Sequence, residues 1–144
     1  MKIDWTHIII HHSLTEDSKT VSWDAIRKYH METMGWSDIG YHFGIEVGPN
    51  DRYLLLGGRP LNKAGAHCKE EGMNKKGIGF LFVGNYDLKP PPTGMLIIAA
   101  EFIVGLMDAF SIIPANVRGH RDYAPYKSCP GTKFDMTVLR DMIR

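Results

Sequence analysis

Two long apolar segments interrupt the alternation of apolar and polar positions, and they predict the most buried elements of the fold. Residues 77–84, Gly-Ile-Gly-Phe-Leu-Phe-Val-Gly, are almost wholly apolar, as is typical of a central strand covered on both faces. Residues 95–110 are apolar on most sides and predict a buried helix, which follows three prolines and which Thr93 can cap. A shorter apolar strand is predicted over residues 6–13 and ends in two histidines.

The remaining segments complete an alternating order of strands and helices. They are a helix over residues 21–34, a strand pair over residues 40–47 and 53–56, a short strand over residues 115–118 and an amphipathic helix over residues 134–144. Ser22 is the expected N-cap of the first helix, and Asp135 lies near the start of the last one. This order predicts an α/β fold in which a mixed central β-sheet is flanked by about three helices. The length of 144 residues fits a single domain over residues 1–144.

Composition argues against several classes of partner. The formal net charge is +1 and no basic run is present, so we expect no nucleic-acid partner. The longest apolar stretch, residues 95–107, contains Glu101 and is too short to span a bilayer, so we expect no membrane insertion. The first residues lack the layout of a signal peptide, which predicts a protein that is cytoplasmic as synthesised. We expect the chain to act as a monomer.

Residues 119–131 predict an irregular loop with metal-binding chemistry, because two prolines and two glycines interrupt it. In this loop, His120 and Cys129 offer an imidazole and a thiolate, both good zinc ligands. A catalytic zinc needs three protein ligands and one open position, and the first strand ends in His11 and His12. Successive strand side chains point to opposite faces, so only one of these two histidines faces a given site. The hypothesis is a zinc ion held by His11, His120 and Cys129.

Spacing alone leaves simpler interpretations of these residues open. A cysteine in an intracellular protein is most often a small core residue, and a lone histidine is most often a hydrogen-bonded surface or core residue. Cys68 and Cys129 are also able to form one disulfide, unless Cys129 binds a metal. A structural zinc would need a fourth ligand, and the candidates are His12, His42, His67 and Asp122. None of these candidates has a partner at the usual short spacing, which favours an open, catalytic site.

Four stretches of the chain follow the order of motifs in one known family. They are residues 8–13 (Ile-Ile-Ile-His-His-Ser), residues 36–43 (Trp-Ser-Asp-Ile-Gly-Tyr-His-Phe), residues 65–87, which include Gly-Ala-His and Gly-Met-Asn, and residues 119–131 (Gly-His-Arg-Asp to Lys-Ser-Cys-Pro-Gly). With this combination the chain resembles the zinc-dependent N-acetylmuramoyl-L-alanine amidases, a family that includes phage lysozyme-type amidases and animal peptidoglycan recognition proteins. The resemblance extends over nearly the whole chain and implies the fold of that family.

The resemblance also implies roles for individual residues. It implies one zinc ion per chain, bound by the two histidines and the cysteine proposed above, and catalytic roles for Tyr41 and Lys127. The simpler alternatives are that Tyr41 is an aromatic packing residue and that Lys127 is a solvated loop lysine. His67 is implied to line the substrate cleft, although residues 68–71 depart from the pattern of the family. His42 is expected to face away from Tyr41.

The implied activity is hydrolysis of the amide bond between N-acetylmuramic acid and L-alanine in peptidoglycan. Its setting would be cell-wall lysis of the phage endolysin type or wall remodelling, after release or export of the protein. One alternative is a recognition module that binds peptidoglycan fragments without cleaving them, as do family members that lack the cysteine ligand. Another is a structural zinc domain that binds a protein partner. The group that protonates the leaving amine is left open.

Overall fold

Five strands form one mixed β-sheet, as the sequence predicts. The structure is a computed structural model that describes residues 2–15 and 22–144. The strands are β1 (His7–His12), β2 (Phe43–Val47), β3 (Tyr53–Gly57), β4 (Gly77–Phe82) and β5 (Val117–Gly119). Their order in the sheet is β3-β2-β4-β1-β5. β1 runs parallel to β4 and β5, β2 runs parallel to β4, and β3 runs antiparallel to β2.

The central strand β4 is buried along its whole length, which confirms the prediction from its apolar sequence. Ile78, Phe80 and Phe82 point to one face of the sheet and belong to the main core. The alternate residues, two of which are glycines, face the other side, where Leu81 joins a smaller apolar cluster with Trp23. The two faces of β4 are therefore built differently, one with large apolar side chains and the other with space for neighbouring groups.

The first helix is shorter than predicted. It spans Trp23–Lys28 (α1), and the chain continues as a single π-helical turn over Tyr29–Thr33. The N-cap is Ser22, as predicted, because its Oγ accepts a hydrogen bond from the Ala25 backbone N–H at 3.3 Å. The predicted start at residue 21 lies outside the described residues.

The second helix, α2 (Thr93–Phe110), packs on the sheet as part of the main core. The prediction that Thr93 caps this helix is wrong, because Pro92 occupies the N-cap position and Thr93 is the first helical residue. The helix is also less uniformly buried than its composition predicts, since Ile97 is 47% exposed and Glu101 also faces solvent.

By length and composition alone, α2 is the one helix among the described residues that is apolar enough to cross a membrane. Its buried residues are Met95, Leu96, Ala99, Ala100, Ile103, Leu106 and Met107. They recur every three or four residues, as in the series Met95, Ala99, Ile103 and Leu106, and so form one apolar face that packs on the sheet. This arrangement is typical of the core helix of a globular domain.

The structure moves the boundaries of the last two predicted elements by one or two residues. A 3-10 turn over Pro114–Asn116 precedes β5, so that the strand begins at Val117 rather than at residue 115. The final helix, α3, spans Met136–Met142. Its N-cap is Asp135, whose carboxylate accepts a hydrogen bond from the backbone N–H of the second helical residue at 2.9 Å.

The parallel pairing of β1 with β5 brings distant parts of the chain to one edge of the sheet. Ile10 pairs with Gly119, so the residues that follow each of them lie at the same end of the two strands. Those residues are His11 and His120. Two histidines from opposite ends of the sequence therefore meet because their strands are neighbours that run in the same direction.

Candidate metal centre

A cleft with a volume of about 960 Å³ opens at this edge of the sheet. Its wall contains metal-binding, aromatic and charged side chains. They include His11, His30, Trp36, Tyr41, His67, Cys68, Lys69, Glu70, His120, Tyr126, Lys127 and Cys129. All six residues that the sequence predicts as site residues therefore lie in the wall of a single cleft.

The three residues predicted as zinc ligands meet in this cleft. His11 lies near the end of β1, and His120 opens the 3-10 turn that follows β5. The ring centroids of these two histidines are 4.6 Å apart. The Sγ of Cys129 lies 3.6 Å from Nδ1 of His11. One potential ligand atom from each of the three residues lies within 4.8 Å of the other two.

These separations fit a tetrahedral zinc ion. Zinc binds thiolate sulfur at about 2.3 Å and imidazole nitrogen at about 2.0–2.1 Å, which places two such ligands roughly 3.6 Å apart in tetrahedral geometry. The observed distance between Cys129 Sγ and His11 Nδ1 is 3.6 Å. The donor set of two imidazoles and one thiol is also one that zinc accepts in catalytic sites. The residues present therefore fit the metal that the sequence predicts.

Two polar side chains hold the loop that carries Cys129. The guanidinium of Arg121 donates hydrogen bonds to three carbonyl oxygens of this loop, those of Ser128, Gly131 and Phe134. The carboxylate of Asp87 accepts two more from the same loop, at 3.1 Å from a serine hydroxyl and at 2.8 Å from a backbone N–H. The position of the thiol is thus fixed by charged groups rather than by a regular element.

The environment of Cys129 keeps its thiol protonated unless a cation is nearby. Burial raises the pKa of this thiol to about 12. The backbone N–H of His12 donates to Sγ at 3.3 Å and acts in the opposite direction, as do the positive charges of Lys127 and Arg121. Metal coordination deprotonates a thiol outright, so a bound zinc ion would reverse the preference for the protonated form.

The two predicted catalytic residues also face the cleft. The ring of Tyr41 meets the ring of His11 edge-on, with centroids 5.1 Å apart. Burial raises the pKa of the Tyr41 phenol, so its hydroxyl stays protonated at neutral pH and is able to donate a hydrogen bond. Lys127 is exposed. Burial lowers the pKa of His120, and the positive charge of Lys127 lowers it further.

His67 lies in the wall of the cleft, and both of its ring nitrogens bond to the protein. Its Nδ1 is 2.8 Å from Nε2 of His11, and its Nε2 is 2.9 Å from the carbonyl oxygen of Gly77. The side-chain oxygen of Asn74 accepts hydrogen bonds from the backbone N–H groups of His67 and Cys68, at 2.7 Å and 2.8 Å. This amide fixes the segment from which His67 projects.

Two of the other candidate ligands, His12 and His42, bond to backbone groups. The Nδ1 of His12 accepts a hydrogen bond from the backbone N–H of Tyr86 at 3.1 Å, so its ring is engaged away from His11. His42 is fully buried, and its Nδ1 accepts a hydrogen bond from the backbone N–H of Gly79. Both cysteines are free thiols, so no disulfide joins them.

Glu70 is a cleft residue that the sequence did not indicate. Its Oε1 lies 3.7 Å from Nε2 of His120, and its other oxygen accepts a hydrogen bond from the Tyr126 hydroxyl. That hydrogen bond is the main cause that lowers the pKa of the Glu70 carboxyl. Among the described residues that line the cleft, Glu70 is the only carboxylate. It lies in residues 68–71, where the chain departs from the motif order, so no pattern pointed to it.

Comparison with known proteins identifies the family. The sequence profile of the family described as N-acetylmuramoyl-L-alanine amidase (Amidase_2) matches residues 1–132. Peptidoglycan-recognition protein SC2 of Drosophila melanogaster is 30% identical over 135 residues, which cover 90% of this chain and 70% of that protein. The match to the profile includes the three potential metal ligands.

Solved structures give the same result for the fold. The endolysin N-acetylmuramoyl-L-alanine amidase LysCS from Clostridium intestinale URNW matches with a TM-score of 0.76 and 25% identity, over 96% of this chain and 83% of that one. A mutant of the Drosophila peptidoglycan recognition protein LB, in complex with tracheal cytotoxin, matches with a TM-score of 0.76 and 28% identity, over 96% and 82%. The chain therefore belongs to the N-acetylmuramoyl-L-alanine amidase family.

Proposed function

We propose that this protein is a zinc-dependent amidase that hydrolyses the bond between N-acetylmuramic acid and L-alanine in peptidoglycan. The observation that carries the proposal is the set of three donors in the wall of an open cleft, with Cys129 Sγ 3.6 Å from His11 Nδ1 and His120 beside them. Membership of the amidase family supports the same conclusion. His11, His120 and Cys129 would hold the metal.

The side chains around this centre suit amide hydrolysis. When bound, zinc supplies a Lewis acid and lowers the pKa of a water ligand to about 7. The ammonium group of Lys127 would stabilise the negative charge that develops on the carbonyl oxygen during attack. The protonated hydroxyl of Tyr41, whose pKa burial raises, would orient the nucleophile as a hydrogen-bond donor. Each of these groups lies in the wall of the same cleft.

The biological setting that we propose is cell-wall lysis of the endolysin type, with the protein acting on the wall after release or export. The similarity to an amidase that is named an endolysin supports this setting. The proposed substrate is a muropeptide segment of peptidoglycan, which fits the complex of a related recognition protein with tracheal cytotoxin. Wall remodelling by the host cell would use the same chemistry.

The second candidate function is recognition of peptidoglycan without turnover. It is favoured by the similarity to peptidoglycan recognition proteins over most of this chain. The presence of Cys129 beside two histidines favours hydrolysis, because a recognition module needs only the cleft and not the metal donors. The two functions differ in whether a covalent bond is broken.

The test is to incubate the purified protein with peptidoglycan, with and without a zinc chelator, and to measure newly freed L-alanine amino termini. We expect release that is lost with the chelator and restored by added zinc. Binding of fragments without new termini would contradict the amidase and support the recognition module. Release that is unaffected by the chelator would contradict the role of the metal.

A further inference from the structure

The buried ring of His67 links a proposed metal ligand to the backbone of the central strand. Its Nε2 lies 2.9 Å from the carbonyl oxygen of Gly77, which is able only to accept a hydrogen bond. The Nε2 of His67 therefore carries the proton, and in the neutral ring Nδ1 is the acceptor. The hydrogen bond to this one carbonyl group thus determines which ring nitrogen of His67 is the donor and which is the acceptor.

The same reasoning assigns the tautomer of His11. Its Nε2 lies 2.8 Å from Nδ1 of His67, and because that atom is an acceptor, Nε2 of His11 must be the donor. In the neutral His11 ring, the lone pair is then on Nδ1. This is the nitrogen that lies 3.6 Å from the sulfur of Cys129. The chain of hydrogen bonds from Gly77 through His67 therefore leaves the metal-facing nitrogen of His11 free.

The fold provides a space shaped for the ring of His67. A Cβ atom on Gly79 would lie 2.6 Å from Cδ2 and 2.8 Å from Cγ of that ring. A Cβ atom on Gly65 would also collide with Cδ2 of His67. Two glycines, one on β4 and one on the facing loop, thus leave room for a single imidazole. Such close packing fixes the direction in which its two nitrogens point.

We propose that His67 is a positioning residue that holds His11 in the Nε2–H tautomer and so presents the Nδ1 lone pair to the metal. This proposal rests on the proposed metal site and refines the prediction that His67 lines the substrate cleft. Because both ring nitrogens are already hydrogen-bonded within the protein, His67 has no polar atom left for a substrate. Its contribution acts through His11. Hydrogen-bond partners of this kind orient metal-bound histidines in many proteins.

The first test observes the tautomer directly, in the metal-free protein. Long-range proton–nitrogen NMR spectra of the full chain, labelled with ¹⁵N-histidine, distinguish a ring protonated at Nε2 from one protonated at Nδ1. We expect His11 as the Nε2–H form in the wild type and in His67→Asn, because the Asn side-chain oxygen replaces the acceptor Nδ1. We expect a mixture of both tautomers in His67→Ala. An Nδ1–H form of His11 in the wild type would overturn the proposal.

The second test measures zinc affinity by competition with a chromophoric chelator, without substrate. We expect His67→Ala to bind zinc about 10- to 100-fold more weakly than the wild type, the range for loss of such a hydrogen-bond partner. His67→Asn should retain most of the affinity. His42→Asn is the matched control, because His42 is a neighbouring buried histidine whose Nδ1 accepts a hydrogen bond from the Gly79 backbone N–H and does not bond to a potential metal ligand.

The outcomes separate this proposal from the proposed function. Equal zinc affinity of wild type and His67→Ala would overturn the positioning role and leave the amidase untouched. Normal zinc binding with the expected weakening in His67→Ala, but no freed amino termini, would overturn the amidase and leave the positioning role standing. A wild-type protein that binds no zinc would overturn both.

Discussion

Cys129 contributes the donor whose state depends most on the metal. Burial holds the pKa of its thiol at about 12, so at neutral pH this residue is a thiol until a cation binds. The two histidines that face it are different, because burial lowers the pKa of His11 and His120 and keeps both neutral, which is the form that binds metal. Two of the three potential ligands are therefore in the form that binds a metal, and the third would have to lose a proton.

We expect Cys129→Ala to lose zinc and hydrolytic activity together, because two imidazoles alone make a weak site. Zinc content after dialysis, measured by atomic absorption, gives the first quantity, and release of L-alanine termini gives the second. Cys68→Ala is the comparison variant, since Cys68 is a second thiol in the wall of the cleft that lies with Glu70 near His120 but outside the group of His11, His120 and Cys129. Stoichiometric zinc in Cys129→Ala would refute the assignment of this ligand.

In the proposed mechanism Lys127 contributes only its positive charge, so its removal should lower turnover without affecting zinc binding. We expect Lys127→Ala to keep its zinc and to lose about a hundredfold to a thousandfold in kcat, the range for removal of one oxyanion-stabilising group. Lys69→Ala is the control, because Lys69 is a second exposed lysine in the wall of the cleft. Steady-state rates on a soluble muropeptide measure the effect. Turnover equal to that of Lys69→Ala would remove Lys127 from the mechanism.

One face of strand β4 packs in the main core, and the other face contacts the candidate metal site. Large apolar residues on one face pack in the main core, where Phe80 and Phe82 are completely buried. On the other face Gly77 offers its carbonyl oxygen to His67, and Gly79 leaves space for the same ring. The space that a side chain at Gly79 would fill is thus taken by the imidazole of His67.

Substitution of these glycines tests how tightly the strand is packed. We expect Gly79→Ala to lower the free energy of unfolding by about 1–3 kcal/mol, since a methyl group would overlap the ring of His67. Gly57→Ala is the matched control, because no heavy atom lies within 4 Å of a Cβ at that strand position. Urea unfolding of the two variants and the wild type gives the comparison. Equal urea midpoints for all three proteins would show that the structure around Gly79 shifts to accommodate the added methyl group.

Local sequence predicts those elements whose pattern is complete within a few residues. The apolar run of β4 and the N-cap Ser22 are of this kind, and the structure confirms them. The position of Thr93 does not follow from the local pattern. Pro92, with its extended backbone, occupies the N-cap position, and Thr93 becomes the first residue of the helix. The π-helical turn after α1 also has no local signal in the sequence.

The site was predictable in part for a similar reason. His11 lies near the end of β1 and His120 follows β5, and parallel neighbours bring these ends together, so strand assignment alone places the two histidines near each other. The bond between His11 and His67 joins residues that are 56 positions apart, and it depends on how a long loop folds over β4. Glu70 is in the same loop and was missed for the same reason. The contacts of an irregular loop depend on tertiary packing, and the periodicity of apolar residues along the sequence does not predict them.

Buried neutral histidines give the whole molecule a definite response to acid. The chain contains 7 histidines, and the pKa of each is lowered, in every case mainly by burial. Burial lowers the pKa of His67 to about 3. Below the ordinary histidine pKa of about 6.5, the unfolded chain therefore binds protons that the folded chain does not. The free energy of unfolding must then fall as the pH decreases from that value.

We expect the metal-free protein, in the presence of a chelator, to be less stable at pH 5.5 than at pH 7.5. Each histidine that stays neutral in the folded state contributes a loss of about 1.4 kcal/mol over this interval. The window lies above the ordinary carboxyl pKa values, so the lowered pKa of Glu70 and of Asp87 adds little to it. Urea unfolding at the two pH values measures the difference. In His67→Asn one such histidine is absent, and the difference should shrink by about 1.4 kcal/mol. Equal stability of the wild type at both pH values would mean that its histidines accept protons in the folded state. That outcome would contradict the lowered pKa of these histidines.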